Sequence, residues 1–377
     1  MDFNLTKEQQ MLSEVVQRFV AKEYTFATRR GILESTDGWS RKVWSQLAEM
    51  GLLSLQVPEE YGGMASTSIE MLLTMTALGR GLLLEPYLPS AILATALIRE
   101  LGSGAQKQAL LPSLAAGERI AVPAHFERGS RYDLSRIATT AVRKGDGFAL
   151  SGRKTIVLHA AAADLLLVSA RTAGNAEDEA GISLFGVERD ATGVSLQSYP
   201  TLDGQRGADI TLRDVQVPRE ALIGPEGGAF PAISAVWDLG IAALCAEAVG
   251  ALEAIFQATA DYLMTRKQFG VPIGHFQALQ HRVAEMLIHV EQAKSMSYLA
   301  AMRCTERDAA LRGRAISAAK VLIGQACRRV GQEAVQLHGG MGVTDELIVS
   351  HYFKRLTAIE LSLGDTEHHL ERFTRFT

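Results

Sequence analysis

One carboxylate inside an apolar helix, one helix break at a glycine and a proline, and one glycine-rich turn hold the residues of this chain that could do chemistry. Glu247 stands in the run Leu239-Gly240-Ile241-Ala242-Ala243-Leu244-Cys245-Ala246-Glu247-Ala248-Val249-Gly250-Ala251-Leu252, which is apolar on nearly every face and predicts a buried helix. A carboxylate there is costly unless it is protonated, paired or used. Glu247 is therefore either half of a buried ion pair, with Arg282 as the candidate partner, or a tuned acid/base. The helix breaks at Arg266-Lys267-Gln268-Phe269-Gly270-Val271-Pro272-Ile273 and resumes at Phe276-Gln277. Arg266 and Lys267 then fall in its last turn, where the dipole favours cations and where they could clamp a phosphate or stay solvated. Later comes Gln336-Leu337-His338-Gly339-Gly340-Met341-Gly342. Three glycines in four positions let backbone N–H groups approach an anionic or flat ligand, and Gln336 adds an amide. The same residues would also serve as a plain helix C-cap and loop.

These residues need elements to hold them, and the chain is long enough to supply them. At 377 residues, 47% hydrophobic and 21% charged, it reads as two or three globular units sharing substantial cores. A net charge of -4 with scattered basic residues implies no nucleic-acid partner. Cys245, Cys304 and Cys327 are odd in number, widely spaced and set in apolar helical contexts, so they read as reduced core residues and not as metal ligands. Met1-Asp2-Phe3-Asn4-Leu5-Thr6-Lys7-Glu8 lacks the basic and apolar regions of a signal peptide. Charges at Asp238, Glu247 and Glu253 cut the longest apolar runs short of a membrane span. The expected location is the cytoplasm.

Residues 1–118 read as a helical domain: Thr6 caps a helix carrying Met11, Val15, Phe19 and Val20, and further helices lie near Trp44–Met50, Ile69–Leu83, Ser90–Leu101 and Lys107–Leu114. From 119 to 228 the period changes to short strands. Val142–Leu158 predicts a hairpin turning at Lys144-Gly145-Asp146-Gly147, followed by strands at Leu165–Ser169, Ile182–Val187, Val194–Leu196 and Ile210–Leu212, the spacing of a small sandwich or barrel. Residues 229–377 return to helix, at Ala232–Thr265, Phe276–Cys304, Ala309–Leu337 and Thr366–Phe376, as a bundle. The fold class is thus α+β multidomain, with a β domain between two helical ones.

This order, with Arg266-Lys267-Gln268-Phe269-Gly270-Val271-Pro272-Ile273 and Phe276-Gln277 followed by Gln336-Leu337-His338-Gly339-Gly340-Met341-Gly342, resembles the acyl-CoA dehydrogenases. The resemblance spans the chain, including Val57-Pro58-Glu59-Glu60-Tyr61-Gly62-Gly63 and Leu212-Arg213-Asp214-Val215-Gln216-Val217-Pro218. It implies a flavoenzyme of four subunits, a dimer of dimers, with non-covalent FAD beside the β domain and the C-terminal helices. Arg266 and Phe269 would hold the diphosphate and adenine of a neighbouring subunit's FAD, with Gln277 nearby; Gln336 and the Gly339-Gly340 turn would contact the same nucleotide, and Leu158 would lie along the flavin. It further implies α,β-desaturation of an acyl-CoA thioester, in which a carboxylate takes the α proton, hydride passes to the flavin, and electrons leave through an electron-transfer flavoprotein.

The sequence departs from that family's pattern at the base. Where a tyrosine-glutamate-glycine-threonine turn is usual, this chain has Leu361-Ser362-Leu363-Gly364-Asp365-Thr366, which puts Gly364 or Leu363 at the glutamate. The family's second base position, on the Arg266 helix, falls on Gly240. Glu247 lies seven residues on, two turns along the same face and roughly 10 Å away. Glu247 is the favoured base and Asp365 the competitor. In the β domain Phe126-Glu127-Arg128 replaces threonine-glutamate-proline, and Ile156-Val157-Leu158 replaces tryptophan-isoleucine-threonine, so hydroxyls facing the flavin are lost. Arg128 and Arg131 are additions that could meet CoA phosphates or remain solvated. Two functions follow: a working FAD-dependent acyl-CoA dehydrogenase with an atypical base, or a half-site subunit of a mixed oligomer that completes a partner's FAD site.

Overall fold

The computed structural model describes residues 5–64 and 66–376, so the four residues that open the expected leaderless N-terminus lie outside the described residues. Its helices and strands follow in the order α1 (Lys7–Lys22), α2 (Phe26–Glu34), α3 (Arg41–Glu49), α4 (Ser68–Gly81), a π-helical stretch Tyr87–Ala94, α5 (Thr95–Leu101) and α6 (Gly104–Ala115). Then come β1 (Ala121–Ala124), β2 (Thr140–Lys144), β3 (Gly147–Leu158), β4 (Leu165–Arg171), β5 (Ile182–Glu188), β6 (Val194–Pro200), β7 (Arg206–Val217) and β8 (Leu222–Ile223). After α7 (Phe230–Thr265), the short strands β9 (Lys267–Gln268) and β10 (Val271–Pro272) precede α8 (Gln277–Arg303), α9 (Ala309–His338), α10 (Ile348–Leu361) and α11 (Thr366–Arg375). The helical, β, helical order is the expected one. Two compact units emerge, one of Met1–Gly31, Thr67–Leu83 and Ile241–Thr377, the other of Ile32–Ser66 and Leu84–Gly240.

In the first unit, α1 starts at Thr6 through a reciprocal capping box with Gln9. Its buried face differs from the expected one: Val16 and Phe19 are inside, whereas Met11 and Val15 are 66% and 44% exposed. A 3.6-residue period offers two overlapping apolar stripes on this helix, and packing against α4 selects one. In α7 the residues from Ile241 to Leu252 are buried on all faces, as expected. That helix is long and apolar enough to cross a membrane by length and composition alone, but 83% of its most apolar window is buried in the protein. Its apolar length is therefore explained by the core.

Two glycines decide how closely α4 and α7 approach. A Cβ on Gly79 would stand 2.1 Å from the Glu247 carbonyl oxygen, and one on Gly250 would stand 1.9 Å from that of Thr76. The helices therefore touch backbone to backbone. We expect Gly250→Ala to push them apart and to lower stability by about 1–3 kcal/mol, in the range of overpacked cores. A urea midpoint equal to that of the parent chain would show that the crossing yields without cost.

The second unit carries one connected eight-stranded mixed sheet of order β6-β7-β3-β2-β4-β5-β8, with β1 added alongside β4. β1 and β4 run parallel, and β4 is buried at every residue, which accounts for the unbroken Leu165-Leu166-Leu167-Val168 run. β2 and β3 form the predicted hairpin, Lys144 pairing with Gly147 and Gly145 turning at φ +59°. β3 pairs along most of its length with β7, with an irregular register between Lys154 and Val157. Ile156 sits in that irregularity at φ +53° and is 62% exposed, the way a bulge re-aims a side chain.

Helices α2 and α10 were absent from the sequence reading. Gly31 interrupts the periodicity of α2, and α10 starts without a side-chain cap. The break after α7 is a two-stranded hairpin, so Lys267 belongs to β9 and not to a last helical turn.

Candidate functional site

Glu247 is met by a guanidinium from α10. Arg355 Nε donates to Oε1 at 2.6 Å and Nη2 donates to Oε2 at 2.8 Å, and both side chains are buried. This two-pronged geometry commits both carboxylate oxygens to a cation. Of the two expected readings, acid/base or buried ion pair, this geometry supports the second, with a different partner: Arg282 lies 3.4 Å from Glu333 instead. The sequence held a signal for Arg355, a cation on the apolar face of Tyr352, Leu356 and Ile359, but no side-chain cap marks the helix that carries it.

Asp365 is the N-cap of α11 and accepts from the His368 N–H at 2.8 Å. The turn before it is shaped by Leu363 at φ +56° and Gly364 at φ +111°. A Cβ at Gly364 would lie 2.4 Å from His369 Nε2, so this turn has no room for a glutamate at that position. Lys320 on α9 locks the turn to the end of α10. Its buried Nζ donates to the carbonyls of Ile359 at 3.0 Å, Glu360 at 2.9 Å and Gly364 at 2.7 Å, and burial lowers its pKa. Sequence reasoning missed this clamp, whose signal was a lysine on the apolar face Ile316-Ala319-Ile323 of α9.

His369, beneath the turn, is wholly buried and is pushed down to about 2, first by burial and then by the Lys320 charge. Burial likewise pushes His125 in the other unit down to about 3. Both rings are neutral in the folded chain and take a proton on unfolding below about 6.5. The unfolded state then binds more protons, so stability falls as pH drops. We expect the urea midpoint to decline between pH 7 and pH 5; a flat midpoint across that window would contradict the buried neutral rings.

The two glycine-bearing motifs lie together in the first unit. Tyr262, one turn before Arg266, stacks on His338, which precedes Gly339; the ring centroids are 4.3 Å apart at 25°. Arg266, Gln277, Gln336, Gly339 and Gly340 are exposed, and Phe269 is 91% exposed and set edge-on to Phe276. Gly339 adopts φ +61°, and a Cβ at Gly339 or Gly340 would meet no atom within 4 Å. The Gly339-Gly340 backbone is thus open to close approach by a ligand, and an exposed arginine with an open glycine turn is the kind of donor set that the expected dinucleotide would need.

In the second unit, Lys154 is fully buried and pairs with Glu127 at 2.6 Å, while Glu127 also accepts from Ala138 N at 2.7 Å and Thr139 N at 3.0 Å. This pins the loop after β1. Leu158 is half-buried and pairs with Gly207, so that position offers backbone only. Arg128 and Arg131 are exposed, the latter over the Tyr132 ring at 5.4 Å.

Comparison with known proteins adds to this geometry. The profile described as "Acyl-CoA dehydrogenase, N-terminal domain" matches residues 6–118, "Acyl-CoA dehydrogenase, middle domain" matches 124–216, and "Acyl-CoA dehydrogenase, C-terminal domain" matches 230–376. "Probable acyl-CoA dehydrogenase YngJ" of Bacillus subtilis is 30% identical over 97% of each chain. Among solved structures, the ChsE4-ChsE5 complex from Mycobacterium tuberculosis is similar with a TM-score of 0.88 and 28% identity, covering 100% of this chain and 98% of the other. A structure described as the electron transferring flavoprotein of Acidaminococcus fermentans is similar with a TM-score of 0.89 and 28% identity, covering 100% and 99%.

Proposed function

We propose, from the premise that this chain belongs to the acyl-CoA dehydrogenase family, that it binds FAD and desaturates an acyl-CoA thioester between Cα and Cβ. The family's proteins are FAD-dependent and its enzymes act on CH–CH groups. The observation that supports the reading is the Tyr262–His338 stack, which brings the helix end before Arg266 against the helix end before the open Gly339-Gly340 turn. Arg266 and Phe269, with Gln277, Gln336 and the two glycines, would grip the diphosphate and adenine of a neighbouring subunit's FAD, and the Leu158 backbone would lie along a flavin. Bound FAD supplies the hydride acceptor. Asp365 is the carboxylate we assign to the α proton, because Glu247 is committed to Arg355. An electron-transfer flavoprotein is the proposed acceptor, supported by the similar structure described as an electron transferring flavoprotein; the proposed assembly is a dimer of dimers, for which the ChsE4-ChsE5 complex supports oligomer formation in general. The division at residues 118 and 228 belongs to the same reading.

The test is FAD affinity. Arg266→Ala removes a charged donor at an exposed surface, a loss of about 1.5–3 kcal/mol, which corresponds to roughly 10–100-fold weaker binding. Flavin fluorescence measures it. Affinity equal to that of the parent chain would remove Arg266 from the nucleotide site.

A further inference from the structure

A cleft of about 160 Å³ opens among α1, α4, α7 and α8, all within the first unit, and takes in none of the residues assigned above. That is many times the roughly 10–15 Å³ of such space that a single water needs, room for a small organic ligand. Its walls are of two kinds. Leu72, Leu73 and Val249 are apolar and buried. Across from them Glu253, one turn after Val249 on α7, joins Arg80 of α4 and lies 3.5 Å from Lys294 of α8. Two cations against one carboxylate leave a net positive charge. Arg80 and Lys294 are also the more exposed members, at 46% and 44% against 18% for Glu253, so an incoming anion meets the cations first.

Ser297 supplies the second observation. It lines the same cleft, is 2% exposed, and its hydroxyl has no hydrogen-bond partner. A buried hydroxyl left this way has lost its water without a replacement partner, which is unfavourable. On a helix the ordinary remedy is a bond back to the carbonyl four residues earlier, which Thr259 makes to Ile255 at 2.7 Å and Ser295 makes to Glu291 at 3.0 Å. Ser297 does not take it. Lys294 and Ser297 are three residues apart on α8 and so share a face.

We propose that this cleft binds a small amphipathic monocarboxylate, whose apolar body packs on Leu72, Leu73 and Val249 and whose carboxylate meets Lys294 and Arg80, with the Ser297 hydroxyl as a further donor. The site is separate from the nucleotide motifs and does not depend on the function proposed above.

Hexanoate is the probe and hexan-1-ol its uncharged counterpart, each titrated into the purified full chain and followed by saturation-transfer NMR. The expected result is saturable hexanoate binding that weakens about tenfold in Lys294→Gln, weakens several-fold in Ser297→Ala, and disappears in Ser297→Leu, where the larger side chain fills the cleft. Lys294 is half-exposed and Ser297→Ala adds no volume, so those two variants report even where Ser297→Leu fails to fold. Hexanoate binding that is the same in Lys294→Gln and Ser297→Ala as in the parent chain would place the ligand elsewhere and overturn the proposal. So would hexan-1-ol binding as tightly as hexanoate, or an absence of saturable binding.

Discussion

Arg355→Met is expected to lower folding stability by about 3–5 kcal/mol, the range for removing one partner of a buried ion pair. The loss arises because Glu247, 4% exposed on an apolar helix, loses the two donors that answer it. The double variant Glu247→Leu with Arg355→Met should recover most of that loss, since apolar groups of similar volume replace a buried pair at little net cost. Urea denaturation of the single and double variants measures the coupling directly. If Arg355→Met alone left the midpoint unchanged, the pair would not be holding α7 to α10, and Glu247 would return as a candidate proton acceptor.

The second large effect concerns Asp365. Asp365→Asn is expected to slow reduction of bound flavin by an acyl-CoA by about 10²–10⁴-fold, the usual contribution of a positioned general base. Asparagine caps a helix about as well as aspartate, so α11 should keep its start at this residue and FAD content should stay at the parent level. That separates a lost proton acceptor from a disturbed turn. Stopped-flow absorbance reads the rate, and an undiminished rate would move the base away from Asp365.

How much of this was legible beforehand differs from element to element. The hairpin at Lys144–Gly147 and the wholly buried strand at Leu165 were readable because turn chemistry and apolar run length are local properties. The burial of α7 was readable for the same reason. The role of Glu247 was readable only as a pair of alternatives, since its answer lies 108 residues away at Arg355 on a helix the periodicity did not reveal. The exposed face of α1 was misjudged because a single helix does not say which of two stripes its neighbour covers. The Lys320 clamp on the turn at Gly364 is a contact to three backbone carbonyls, and backbone partners leave no mark in a residue pattern. The stacking of Tyr262 on His338, at the helix ends that lead into the two motifs, was likewise invisible in the sequence, although each motif could be named from it.

The central claim is that this chain holds FAD and passes electrons to it from an acyl thioester. Anaerobic titration of the purified, flavin-loaded protein with acyl-CoA thioesters, from short chains to branched and ring-bearing ones, tests it most directly. The account predicts that at least one thioester bleaches the flavin absorbance and that an electron-transfer flavoprotein restores it. Flavin-loaded protein whose spectrum stays unchanged by every thioester, or protein that takes up FAD only with a second, different chain, would contradict it.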